Sequence, residues 1–102
     1  MEKTFQTHND KYIHCSGTHL QGYIDITYAE LKAKFGKPHN SDGYKVDAEW
    51  DIEFADGTVA TIYNWKDGKN YNGKNGLGKT KITDWHIGGN DIKVVQKVKD
   101  LF

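Results

Sequence analysis

Tyr44-Lys-Val-Asp-Ala-Glu-Trp-Asp-Ile-Glu-Phe54, then Ala-Asp-Gly-Thr58, then Val59-Ala-Thr-Ile-Tyr-Asn-Trp65 is the stretch on which the fold turns. Its first arm alternates without a break. Tyr44, Val46, Ala48, Trp50, Ile52 and Phe54 fall on one face, and Lys45, Asp47, Glu49, Asp51 and Glu53 on the other. A period of two is the pattern of a half-buried strand. Asp56-Gly57 supplies two residues that tolerate positive φ, which predicts a two-residue type I′ turn. In that register Phe54 faces Val59, Ile52 faces Thr61, Trp50 faces Tyr63 and Ala48 faces Trp65. The stretch reads as a long hairpin with one apolar face and one acidic face.

Downstream of the hairpin, residues 66–81 form a loop rich in Gly, Asn and Lys. Ile82 to Ile87 reads as a short strand containing Trp85, Gly88-Gly89-Asn90 as a turn, and Asp91 to Phe102 as a helix with Lys93, Lys97 and Lys99 outward. Upstream, Thr27-x-x-Glu30 is a capping box. Tyr28, Leu31 and Phe35 share one helical face, and Gly36 followed by Pro38 stops the helix. Before it, Phe5 anchors a short first strand, Tyr12 to Cys15 reads as a strand, and Thr18 to Asp25 as extended chain. These elements predict a single α+β domain over residues 1–102: an antiparallel sheet of four to five strands with helices 27–35 and 91–102 on one face. The expected core is Leu31, Phe35, Val46, Trp50, Ile52, Phe54, Val59, Tyr63, Trp85, Val95 and Val98.

Composition narrows the function. The chain has 102 residues, a net charge of zero, 14 acidic residues and 14 basic ones, all of them Lys. Neutral charge and the absence of Arg argue against direct nucleic-acid binding. The single cysteine, Cys15, excludes an internal disulfide and fits a reducing cytoplasm. No apolar run suggests a signal peptide or a membrane span. Charge is nevertheless segregated. Residues 41–58 hold six acids and one Lys, whereas residues 66–81 hold five Lys and one Asp. Such asymmetry can steer a partner.

The acidic ladder Asp47, Glu49, Asp51 and Glu53 is the leading candidate surface. Carboxylates at i and i+2 of a strand lie about 6.5–7 Å apart, close to the phosphate spacing of a nucleic-acid strand. The row therefore suits a basic groove on a nucleic-acid-handling protein. The alternative surface is the lysine loop, with Lys69, Lys74, Lys79 and Lys81 gripping a nucleotide. Gly73-Lys-Asn-Gly-Leu-Gly78-Lys79-Thr80 matches the phosphate loop of nucleotide triphosphatases, but a strand follows it where such a loop opens a helix. Carboxylate catalysis lacks a cleft. Among the metal-ligand types His8, His14, Cys15 and His19, the adjacent His14 and Cys15 point to opposite faces of a strand. Neither enzymatic activity nor a metal or cofactor is expected.

Ile26-Thr27, Leu31 and Phe35-Gly36-Lys37-Pro38, followed by the hairpin, resemble the helix-then-sheet unit of small lipoproteins and β-lactamase-inhibitor-like domains, which implies architecture only. Thr18-His-Leu-Gln-Gly-Tyr23, Glu49-Trp50 with Ala60-Thr-Ile-Tyr-Asn64, and Asp84-Trp-His-Ile-Gly-Gly89 are similar to small orphan bacteriophage proteins. That resemblance implies an anti-CRISPR or other anti-defence inhibitor, which acts by occupying a surface or sequestering a signal nucleotide. The expected function is a non-enzymatic inhibitor that binds a host defence protein or nucleoprotein complex through Asp47, Glu49, Asp51 and Glu53. The alternative is a nucleotide-sequestering protein. An uncovered hairpin edge would pair two copies into a homodimer.

Overall fold

The computed structural model describes residues 5–14, 17–39, 48–64 and 81–102. Their element order is β1 (Phe5–Thr7), β2 (His19–Asp25), α1 (Tyr28–Phe35), β3 (Glu49–Phe54), β4 (Val59–Tyr63), β5 (Asp84–Gly89) and α2 (Lys93–Lys99). The strands form one antiparallel sheet in the order β1-β3-β4-β5-β2, with β1 and β2 at the edges. The predicted α+β class is borne out. Among the described residues no helix is long and apolar enough to cross a membrane.

Alternation along the strands decides where the helices go. Trp50, Ile52 and Phe54 of β3, Ala60 and Ile62 of β4, Trp85 and Ile87 of β5 and Ile24 of β2 share one buried cluster with Tyr28, Leu31 and Phe35 of α1 and Val94 and Val98 of α2. Both helices therefore cover the same side of the sheet. Tyr28 lies against Trp50 and Trp85, with ring centroids 5.7 and 6.5 Å away. Val94 and Val95 sit so close over Gly89 and Gly22 that a Cβ at Gly89 would come within 2.4 Å of Val94. The opposite side of the sheet carries neither helix.

The ends of α1 follow the sequence. Thr27 Oγ1 accepts from the Glu30 N–H at 3.1 Å and donates to the Glu30 carboxylate at 3.0 Å. Gly36 leaves the helix at φ +87°, a left-handed conformation that favours glycine. Asn9 closes that terminus from a distance, its amide donating to Phe35 O and Lys37 O. Helix α2 is shorter than the predicted span of residues 91–102. Asp91 accepts from the Lys93 N–H at 2.9 Å just before its start.

The hairpin departs from expectation by one residue. Its loop is Ala55-Asp56-Gly57, closed by Gly57 N–H to Phe54 O and Phe54 N–H to Thr58 O, with Gly57 at φ +89°. This is a three-residue connection, not a two-residue type I′ turn. The observed partners are Glu53 with Val59, Ile52 with Ala60, Asp51 with Thr61, Trp50 with Ile62 and Glu49 with Tyr63. A slip of one residue exchanges the faces of a strand. Ala60 and Ile62 thus face the helices, while Val59, buried as expected at 5% exposure, and the half-buried Tyr63 lie on the other face. Lys97 of α2 fastens the loop by reaching Asp56 and donating to Thr58 Oγ1 at 3.3 Å. That ammonium, with help from Thr58, holds the Asp56 carboxyl well below the usual carboxylate range.

Three further expectations change. Gly88-Gly89 completes β5 and is not a turn. Tyr12–His14 are outside any strand. Val95 is a partly buried flank of the core rather than its centre. Val46 and the first part of the predicted β3 arm lie outside the described residues.

The register generates a stability test. Ile62→Ala should cost about 2–5 kcal/mol, as a fully buried aliphatic truncation does, and Thr61→Ala should cost clearly less. Denaturant unfolding of the two variants measures the order. The reverse order would restore the shifted register.

Candidate functional site

The face of the sheet that the helices leave bare gathers most of the unusual chemistry. Strand alternation sends Glu49, Asp51 and Glu53 to it, as the sequence predicts, but they do not form an open row. Lys11, arriving from the turn after β1, pairs with Glu53. Asp51 is only 9% exposed, and one of its oxygens accepts from His39 Nε2 at 2.7 Å. Glu49 Oε2 is 3.5 Å from the same nitrogen. Asp47 lies outside the described residues.

Two long-range pairings bring the histidines in. His39 exchanges both backbone hydrogen bonds with Glu49, at 2.9 and 2.7 Å, which sets its ring beside β3. His8 continues the β1–β3 ladder, its N–H donating to Asp51 O at 3.0 Å. Its Nε2 donates to Lys37 O at 2.8 Å, so Nδ1 is the ring acceptor and faces the Asp51 N–H at 3.3 Å. The His8 and His39 rings meet edge to face at 4.7 Å. One ligand atom from each of His8, His39 and Asp51 falls within a 4.8 Å group. Asp51 Oδ1 is buried without a hydrogen-bond partner. No sequence spacing links positions 8, 39 and 51; only the strand pairing does.

Beside this cluster runs an aromatic row. Cross-strand register aligns Glu49, Tyr63, His86 and Tyr23 across β3, β4, β5 and β2. His86 is edge-on to Tyr23 at 5.0 Å and to Tyr63 at 5.5 Å. Next to the row Gly88 makes room for Thr61, since a Cβ there would meet Thr61 Oγ1 at 2.5 Å. Tyr23 and Leu20 are 54% and 47% exposed. Below the row, Asp25 and Asp84 are direct register partners, and both are exposed. Like charges directly opposite each other destabilise a strand pair.

Lys69, Lys74 and Lys79 of the alternative anion site lie outside the described residues. Lys81 is exposed, next to the buried Ile82. An open hollow of about 360 Å³ between Phe54, Asp56, Lys97 and Leu101 belongs to the hairpin tip and does not reach the bare face.

The row has a measurable electrostatic signature. Burial pushes the Tyr63 hydroxyl above its ordinary pKa, and the Glu49 carboxylate and Tyr23 push the same way. The folded state therefore favours the neutral phenol. That preference contributes fully below the unfolded value of about 10 and is lost as pH rises through the raised folded value. Above about pH 10 the wild type should lose stability more steeply than Tyr63→Phe. Denaturant midpoints across that range measure it, and parallel curves would contradict the assignment. No family model, curated protein or solved structure matches the chain, so its function must be read from these side chains.

Proposed function

We propose that the chain is a non-catalytic inhibitor that docks onto the cationic, nucleic-acid-binding surface of a partner protein through the exposed part of the helix-free face of its sheet. The observation that carries this reading is the Tyr23–His86–Tyr63 row between carboxylates: Glu49 at one end, and Asp25 and Asp84 beside it. Tyrosines are favoured anchors of protein interfaces because a rigid ring gains much contact area for little entropy. The surrounding acids supply charge that selects a basic partner and speeds encounter. The Asp25–Asp84 repulsion would be relieved by a lysine or arginine from outside.

The centre of this surface differs from the predicted one. Asp51 and Glu53 already have cationic or histidine neighbours, so their contribution is background field. Glu49 shares His39 with Asp51 and is about as covered, so the exposed Tyr23, Asp25 and Asp84 form the contact. The setting in which such a device operates is the bacteriophage anti-defence inhibitor suggested by the sequence resemblance. Its target is a host defence complex in the bacterial cytoplasm, where the inhibitor blocks a nucleic-acid groove.

Affinity capture from a bacterial lysate tests the proposal, with wild type beside Tyr23→Ala combined with Asp25→Lys, and with Lys93→Ala on α2 as a control. Wild type and control should retain a nucleic-acid-handling complex, released by salt, and added nucleic acid should compete for it. The double variant should lose it, since truncating one interface tyrosine can cost about 2 kcal/mol or more. Equal capture by all three proteins would reject this face as the docking surface.

A further inference from the structure

On observations separate from the docking row, with which it shares only Glu49, we propose that His8, His39 and Asp51 form a binding site for a divalent transition-metal ion of the zinc type, with Glu49 as a fourth donor. Four observations converge on it. The first is proximity: one ligand atom from each of the three residues lies in a group spanning at most 4.8 Å. The second is the Asp51 carboxylate. Its Oδ2 has His39, but Oδ1 is sealed from water and is the one buried side-chain atom without a hydrogen bond among the described residues. A buried carboxylate oxygen left without a donor is costly. A cation seated among these residues would satisfy it.

The third is the setting of His8. Its outer nitrogen is anchored on a backbone carbonyl, Lys37 O, at 2.8 Å. Its inner nitrogen offers a lone pair that holds only a long 3.3 Å contact from the Asp51 N–H. Metal-ligating histidines are usually oriented this way, with the second N–H on a carbonyl or carboxylate that fixes tautomer and ring. The fourth is Glu49, whose Oε2 is 3.5 Å from His39 Nε2 on the same strand face as Asp51. Two imidazoles with one or two carboxylates suit zinc and its first-row neighbours better than calcium or magnesium, which prefer all-oxygen shells.

Binding requires a small closure. Tetrahedral donors about 2.0–2.2 Å from zinc stand roughly 3.3–3.6 Å from one another. The widest separation must therefore shrink, while His39 Nε2 and Asp51 Oδ2 must part slightly from 2.7 Å. The ion replaces the proton that His39 Nε2 shares with Asp51; that proton moves to Nδ1 or to solvent. The ion would join edge strand β1, the His39 segment and β3 at one point.

The test uses the full chain stripped with a chelator. Isothermal titration with ZnCl2 should show saturable 1:1 binding and a raised thermal midpoint. Cobalt(II) should give the absorption of a low-coordinate site with nitrogen and oxygen donors. His8→Gln and His39→Gln, each checked for fold by circular dichroism, should weaken zinc binding by at least about tenfold, the loss that removing even an outer-shell partner brings. His19→Gln, an exposed histidine of β2, should bind as wild type does. Absence of saturable binding by the folded wild type would overturn the site. So would unchanged affinity in both cluster variants, or loss of binding in His19→Gln.

Discussion

Two tryptophans hold the helix to the sheet, and the rest of the structure depends on that contact. Trp50 of β3 and Trp85 of β5 are fully buried, with rings edge to face at 5.4 Å. Each carries one N–H that must find a partner when it leaves water. Trp50 Nε1 donates to Gly36 O at 2.8 Å, at the residue that ends α1. Trp85 Nε1 donates to Ile26 O at 3.0 Å, just before α1 begins, and to Ile82 O at 3.2 Å. The pair therefore pins both ends of a two-turn helix that would be marginal alone. Tyr28 fills the space between. With α1 fixed, its C-terminal carbonyls are in place to receive Asn9 and His8.

How legible this was depends on the range of the interaction. Local chemistry was readable: Thr27 with Glu30, Gly36 at positive φ, and the alternation that sends Trp50, Ile52 and Phe54 inward. The hairpin register was not, because Asp56-Gly57 fits both a two-residue turn and the last two positions of a three-residue loop. The tie-breaker lies elsewhere in the chain. Lys97 fixes Asp56 from α2, and the core accepts Ile62 and Ala60 with no exposure. Gly88-Gly89 misled for a similar reason. Local propensity reads two glycines as a turn. Here Gly88 admits Thr61 Oγ1, 2.5 Å from where a Cβ would be, and Gly89 admits Val94 and the Val59 carbonyl, at 2.4 and 3.0 Å.

The candidate site shows the same division. The shared face of Glu49, Asp51 and Glu53 followed from a period of two. Their neighbours did not, since Lys11, His8 and His39 arrive by strand pairing across long stretches of chain. A ladder that looks solvated in one dimension is partly engaged in three: Glu53 meets Lys11 and Asp51 meets His39. The aromatic row was hidden as well. Tyr63 reads as core in the shifted register, and His86 reads as an ordinary sheet residue until Tyr23 is placed beside it by β2–β5 pairing.

The two faces of the sheet differ in how completely the chain answers its own polar groups. On the helix side the buried ones are met: the two indole N–H groups, and Asn64, whose Oδ1 accepts from Ala48 N–H at 3.0 Å. On the bare side Asp51 keeps a buried oxygen without a donor, Asp25 opposes Asp84, and Tyr23 and Leu20 stand in solvent. The buried oxygen and the opposed carboxylates are costs that no described contact offsets. A folded domain with a small stability margin tolerates such costs where they serve something other than folding. A cation at Asp51 and a basic surface at Asp25 and Asp84 would remove both. Among the described residues the one buried polar side-chain atom without a hydrogen bond lies on this face, beside the opposed Asp25 and Asp84, and that is the physical reason to look outside the chain for what completes it.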